Sequence, residues 1–128
     1  MIMQEATIYQ QYKAQALETL TNGEIVVKLF EEVSKQVSMS IFLTTSGNSY
    51  RAYNCISKAQ KLISALDNSL NMQYAISIEL SEMYMFLYHK LPEAAIAKNT
   101  GLLKELLKII DELKVTFRQA DRIARAQK

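Results

Sequence analysis

Side chains able to do chemistry are few and widely spaced. His89 is the single histidine, and Phe86 stands three residues before it, where a carboxylate-bridged metal site in a helical bundle needs glutamate. A zinc site would have to be completed by carboxylates or a thiolate. Beside Lys90, near the end of an apolar stretch, His89 is expected to cap carbonyls or face water. The single cysteine, Cys55, has no partner for an internal disulfide, which suits a reducing cytoplasm. Its neighbours Ala52, Ile56 and Ala59 predict a buried small hydrophobe rather than a reactive thiol. Glu31/Glu32 and Asp111/Glu112 are paired carboxylates, but the apolar register puts both pairs on solvated faces. No glycine-rich phosphate loop, G-x-S-x-G or C-x-x-C occurs. The sequence therefore offers no catalytic, cofactor-binding or metal-binding residue and implies no cofactor, and an enzyme is not expected.

The elements around these residues read as helices. The first long stretch begins near Asn22-Gly23-Glu24 and carries Ile25, Val26, Leu29, Phe30, Val33, Val37 and Ile41 in steps of three and four. Thr21 or Asn22 is suited to cap it. Thr44 to Ser49 is a polar break. A second stretch carries Ala52, Ile56, Ala59, Ile63 and Leu66, and weakens at Asp67-Asn68-Ser69. The third runs from about Gln73 to Leu91, where Pro92 is expected to stop or kink it. The fourth follows Asn99-Thr100-Gly101 with Leu102, Leu103, Leu106, Leu107, Ile110, Leu113 and Phe117; the pattern can continue through Ala120, Ile123 and Ala124, and the basic end is expected to fray. A weaker segment, Ala6 to Leu20, precedes them and is marginal unless it docks. Short connections between long helices favour antiparallel neighbours. The expectation is an all-α, up-down antiparallel four-helix bundle with a short N-terminal helical segment. Residues 1–20 would form that segment, 22–118 the bundle and 119–128 a basic tail, all one domain.

Composition agrees. Of 128 residues 49% are hydrophobic and 22% charged, a globular balance. Only three glycines and one proline leave little turn chemistry for a β-sandwich. A formal charge of +2 gives no basis for a nucleic-acid partner unless the bases segregate on one face. No apolar run approaches the roughly 18 residues that span a bilayer, and MIMQEAT lacks a signal-peptide pattern, so neither membrane insertion nor secretion is expected.

The third stretch is too apolar for one helix face. Ile76, Leu80, Met83, Tyr84, Leu87 and Leu91 fill the roughly 100° arc that a core requires. Tyr74, Ile78, Met85 and Tyr88 then fall beside or opposite it and must meet another surface: the bundle itself, a second copy, or a partner. Met and Tyr suit a surface that accepts apolar side chains yet tolerates water.

Several ordered blocks resemble the FliS family of flagellar secretion chaperones over roughly residues 8 to 120. Tyr9-x-x-Tyr12 with Leu17 to Leu20 is similar to the family's tyrosine-bearing N-terminal segment. Leu20 to Glu31 resembles the beginning of its first long helix, with Asn22 at the usual proline and Phe30-Glu31 for tyrosine-aspartate. Lys58-Ala59-Gln60, Leu70-Asn71-Met72, Leu80 to Leu87, and Lys90-Leu91-x-Glu93-Ala94 resemble later blocks in order. The resemblance implies a cytoplasmic chaperone that binds the C-terminal helical region of flagellin, prevents premature polymerisation and aids export by the flagellar type III secretion system. It implies that Ile8, Tyr9, Tyr12 and Leu17 act as a lid over an apolar groove. Groove residues are expected to be Ile56, Ile63, Met72, Ile78, Tyr84, Met85 and Tyr88. Other partners in view are the export apparatus and further flagellar regulators. The alternative is a self-associating structural or adaptor bundle, a homodimer with no flagellin client.

Overall fold

The computed structural model describes residues 23–126. They form α1 (Gly23–Thr45), α2 (Ser49–Asn68), α3 (Ala75–Ile96) and α4 (Thr100–Ala126), with no strand among the described residues. Short polar signals set the boundaries. Gly47, at φ 84°, closes α1, and Asn48 N–H returns to Leu43 O at 2.8 Å. Asn48 Oδ1 then accepts from Arg51 N–H at 3.3 Å, so the residue that ends one turn caps the next helix. Asn99 does the same for α4, accepting from Leu102 N–H at 3.0 Å. The expected caps Thr21 and Asn22 lie outside the described residues.

The helices form a ring in which α1 packs on α2 and α4, and α3 on α2 and, more sparsely, on α4. Cross-helix bonds fix the antiparallel register of α1 and α4: Glu24 meets Arg125, Glu31 meets Arg118, and Ser34 meets Asp111. The apolar stripes read from the sequence supply the core, except that Ile25 is 53% exposed and Leu29, Ile41, Met83, Leu102 and Leu107 are half-buried at its edge. Phe30 lies at its centre, with ring centroids 5.0 Å from Phe117 and 6.0 Å from Tyr84. Cys55 is buried with Leu43 and Ala52 in a small satellite cluster. His89 is exposed and meets Tyr88 edge-on.

Two local expectations need correction. Pro92 does not stop α3, which continues to Ile96. A proline at this position leaves the carbonyl four residues back without its helical donor. That carbonyl belongs to Tyr88, and Gln60 Nε2 of α2 donates to it at 3.0 Å. A side chain from the neighbouring helix replaces the missing bond. At the other end of the chain α4 runs past residue 118, through Ala120, Ile123 and Ala124, to Ala126. Ala120 is buried there, and Arg125 joins Asp121 and Glu24.

Candidate functional site

α3 carries two apolar stripes. The buried one comprises Ile76, Leu80, Tyr84, Leu87, Leu91 and Ala94. The second comprises Tyr74, Ile78, Met85 and Tyr88; its last three members each follow a buried residue (Ser77, Tyr84, Leu87) by one position, about 100° further round the helix. Tyr74, Met85 and Tyr88 are half-buried against the core, while Ile78 is 50% exposed.

The Gln60–Tyr88 bond locates the neighbour of this stripe, the side of α2 that carries Gln60. Asp67 lies seven residues beyond Gln60, two helical turns along the same face. Its Oδ1 is buried and has no hydrogen-bond partner. Tyr53, seven residues before Gln60, is 41% exposed at the opposite end of that face. The α2–α3 seam is thus a half-open apolar surface with one unused acceptor.

The expected groove residues separate into two layers. Met72 and Ile78 are exposed, and Met85 and Tyr88 are half-buried, so these four offer surface. Ile56, Ile63 and Tyr84 are 0 to 1% exposed and belong to the core on which this surface rests. Burial follows from their place at the centre of the α2 and α3 core stripes. Ile8, Tyr9, Tyr12 and Leu17 lie outside the described residues. Gln60 was not foreseen as a seam residue, nor were Asp67 and Tyr53 as members of its face of α2. Their seven-residue spacing was visible in the sequence, but which side of α2 would meet α3 was not.

The α1–α4 seam is built differently. Ser34 Oγ donates to Asp111 Oδ1 at 2.6 Å, Arg118 reaches Glu31 at 3.2 Å, and Arg125 reaches Glu24 at 2.9 Å. The Arg125 hydrogen bond and charge, with Lys28 nearby, hold the Glu24 carboxyl below its ordinary range, and Glu24 raises the Arg125 guanidinium in turn. The carboxylates read as solvated thus stitch this seam. A shallow trough follows the outer face of α4, where Leu107 and Val115 lie among Lys104, Lys108, Asp111 and Glu112. Among the described residues no cluster of three His, Cys, Asp or Glu could hold a metal ion, and no helix is long and apolar enough to cross a membrane.

An all-helical chain with one surplus apolar seam has relatives. Residues 5–124 match the family described as Flagellar protein FliS. The chain belongs to the FliS family. A relative from Bacillus subtilis (strain 168), Flagellar secretion chaperone FliS, is 26% identical over 112 residues, covering 88% of this chain and 84% of its own length. The FliS match takes in nearly all of the bundle and most of the segment before α1.

Proposed function

We propose that this FliS-family protein is a flagellar secretion chaperone. It holds the C-terminal helical region of flagellin in the cytoplasm, prevents premature polymerisation and delivers the subunit for export. The observation that supports this reading is the second apolar stripe of α3. A helix interior to the bundle needs one stripe, and α3 has two. An amphipathic client helix exposes the same kind of surface until it polymerises, and laying it along the seam hides both. Burial returns about 25 cal/mol per Å² of apolar area, from which the ordering of the client subtracts. Met85 and Met72 adapt to irregular client side chains, and Tyr88 keeps a polar tip for water or a bond. The work is binding alone, with no bond made or broken.

The N-terminal segment would occupy the seam when no client is present, with Ile8, Tyr9, Tyr12 and Leu17 as its apolar contacts. Calorimetric titration with a flagellin C-terminal fragment tests both statements, using the full chain and a version beginning at Leu20. One-to-one binding with a negative heat-capacity change is expected, and tighter binding by the shortened protein. No binding by either folded protein would overturn the flagellin assignment. A stable dimer held through Tyr74, Ile78, Met85 or Tyr88 would reassign the seam to self-association.

A further inference from the structure

The chain's small net charge conceals a strong polarity along the bundle. Between Glu32 and Asp67 there are four basic residues, Lys35, Arg51, Lys58 and Lys61, and no acidic one. The end of α3 and the start of α4 add Lys90, Lys98, Lys104 and Lys108 against Glu93 and Glu105. The up-down fold brings Lys35, Arg51 and Lys58 into the same half of the molecule as Lys90, Lys98, Lys104 and Lys108, where α1 and α3 end and α2 and α4 begin; Lys61 lies past the middle of α2. The ion pairs are distributed the opposite way. Lys28–Glu24, Arg118–Glu31, Arg125–Glu24 and Arg125–Asp121 lie in the other half, and Lys114–Asp111 lies at the middle of the bundle. In the basic half Lys90 pairs with Glu93, and the remaining six bases, all exposed, have no carboxylate partner among the described residues.

The same end bears the most exposed large apolar side chains among the described residues. Tyr50 is 79% exposed, Ile96 71% and Phe42 70%. They come from α2, α3 and α1 in turn, and α4 contributes Lys104. A peptide in a cleft meets one pair of helices, whereas a flat surface laid across the end meets all four. One more feature singles out this end. The α1 turn closes on Gly47 at φ 84°, but the matching α3 turn closes on Lys98 at φ 54°, where a side chain is strained and glycine is not. A lysine stands where the backbone favours glycine.

We propose that this end of the bundle is a peripheral docking face for an anionic membrane surface. Phe42, Tyr50 and Ile96 dip into the headgroup region, and Arg51, Lys98 and Lys104 meet lipid phosphates. Apolar and aromatic tips surrounded by lysine and arginine are the composition that rests at a bilayer interface without spanning it. Attraction to the anionic leaflet adds up over several unpaired cations and fades within a Debye length, so the contact is reversible and salt-sensitive.

Co-sedimentation of the full chain with phosphatidylcholine vesicles, with and without about 30% phosphatidylglycerol, tests the proposal. Binding is expected on the anionic vesicles alone, and release in about 0.5 M salt. Lys98→Gly is the decisive variant: it relieves the backbone, so thermal stability should not fall, yet vesicle affinity should drop about fivefold. Phe42→Ser should weaken binding further, with helix content by circular dichroism unchanged. The proposal is overturned if anionic vesicles do not retain the protein, if neutral ones retain it equally, or if both variants bind like the parent. Retention on immobilised polyglutamate without retention on vesicles would also overturn it, in favour of an acidic protein partner.

Discussion

The two long seams of the bundle solve the same packing problem with different chemistry. Between α1 and α4 the outer edge is closed by the chain's own polar groups: Ser34 with Asp111, Glu31 with Arg118, Glu24 with Arg125. Between α2 and α3 the bond from Gln60 to the Tyr88 carbonyl serves to replace what Pro92 lacks, and the outer edge is Tyr, Met and Ile. A seam closed by ion pairs has satisfied its own surface. One edged by half-buried apolar side chains gains free energy when something else covers it. The difference shows that available surface in a helical protein is not marked by exposure alone, because the four helices all expose some apolar atoms. It is marked by a second stripe at helical period on a helix that already has a core face.

Substitutions can break this comparison at its strongest points first. Ile63→Ala, in the closed layer beneath the α2–α3 seam, should cost about 2 to 5 kcal/mol in chemical denaturation. Ile78→Ser, on the open layer, should move stability by roughly 0.5 kcal/mol or less. If both cost the same, the two-layer description is wrong. Gln60→Leu leaves the Tyr88 carbonyl without a donor and should cost about 1 to 3 kcal/mol, with protection of α3 amides beyond Tyr88 lost first in hydrogen exchange. In the same variant the α1–α4 seam should keep its exchange pattern. For client affinity, Ile78→Ser and Met85→Ser should each weaken flagellin-fragment binding about tenfold by calorimetry, a truncation cost at an apolar contact.

Smaller effects are expected in the ionic seam. Arg118→Gln removes a half-exposed pair with Glu31 and should cost less than about 1 kcal/mol, an amount that shrinks with added salt. The Glu24–Arg125 pair is more exposed still, and its signature is pH dependence. Because Arg125 lowers the folded-state pKa of Glu24, the contribution is fully present above the unfolded glutamate value and disappears as pH falls through the folded one. Melting temperature followed over acid pH should lose that increment in the parent and show no such step in Arg125→Gln. A step of equal size in the variant would assign the effect to another carboxylate.

Much of this was visible in the residues. The four stripes at steps of three and four, the polar breaks at Thr44 to Ser49 and at Asn99, and the short connections led to an antiparallel bundle, and Tyr74, Ile78, Met85 and Tyr88 stood out as surplus. What misled was local reasoning about isolated residues. Pro92 reads as a helix end because its defect is backbone-local, while the remedy comes from Gln60, 28 residues away along the chain and adjacent in space. Ile56, Ile63 and Tyr84 read as groove because they are apolar and near the right blocks, whereas their burial depends on which side of each helix turns inward.

By itself the sequence determined the helices, their order and the existence of an unspent apolar stripe, since periodicity and capping act within a few residues of one another. Tertiary structure alone decided the rest. Antiparallel packing brought the base-rich stretch between Glu32 and Asp67 beside the one around Lys98, so a chain almost neutral in sum became a molecule with one basic end. Charges sum along a chain without regard to position, but they act across distances that only folding sets.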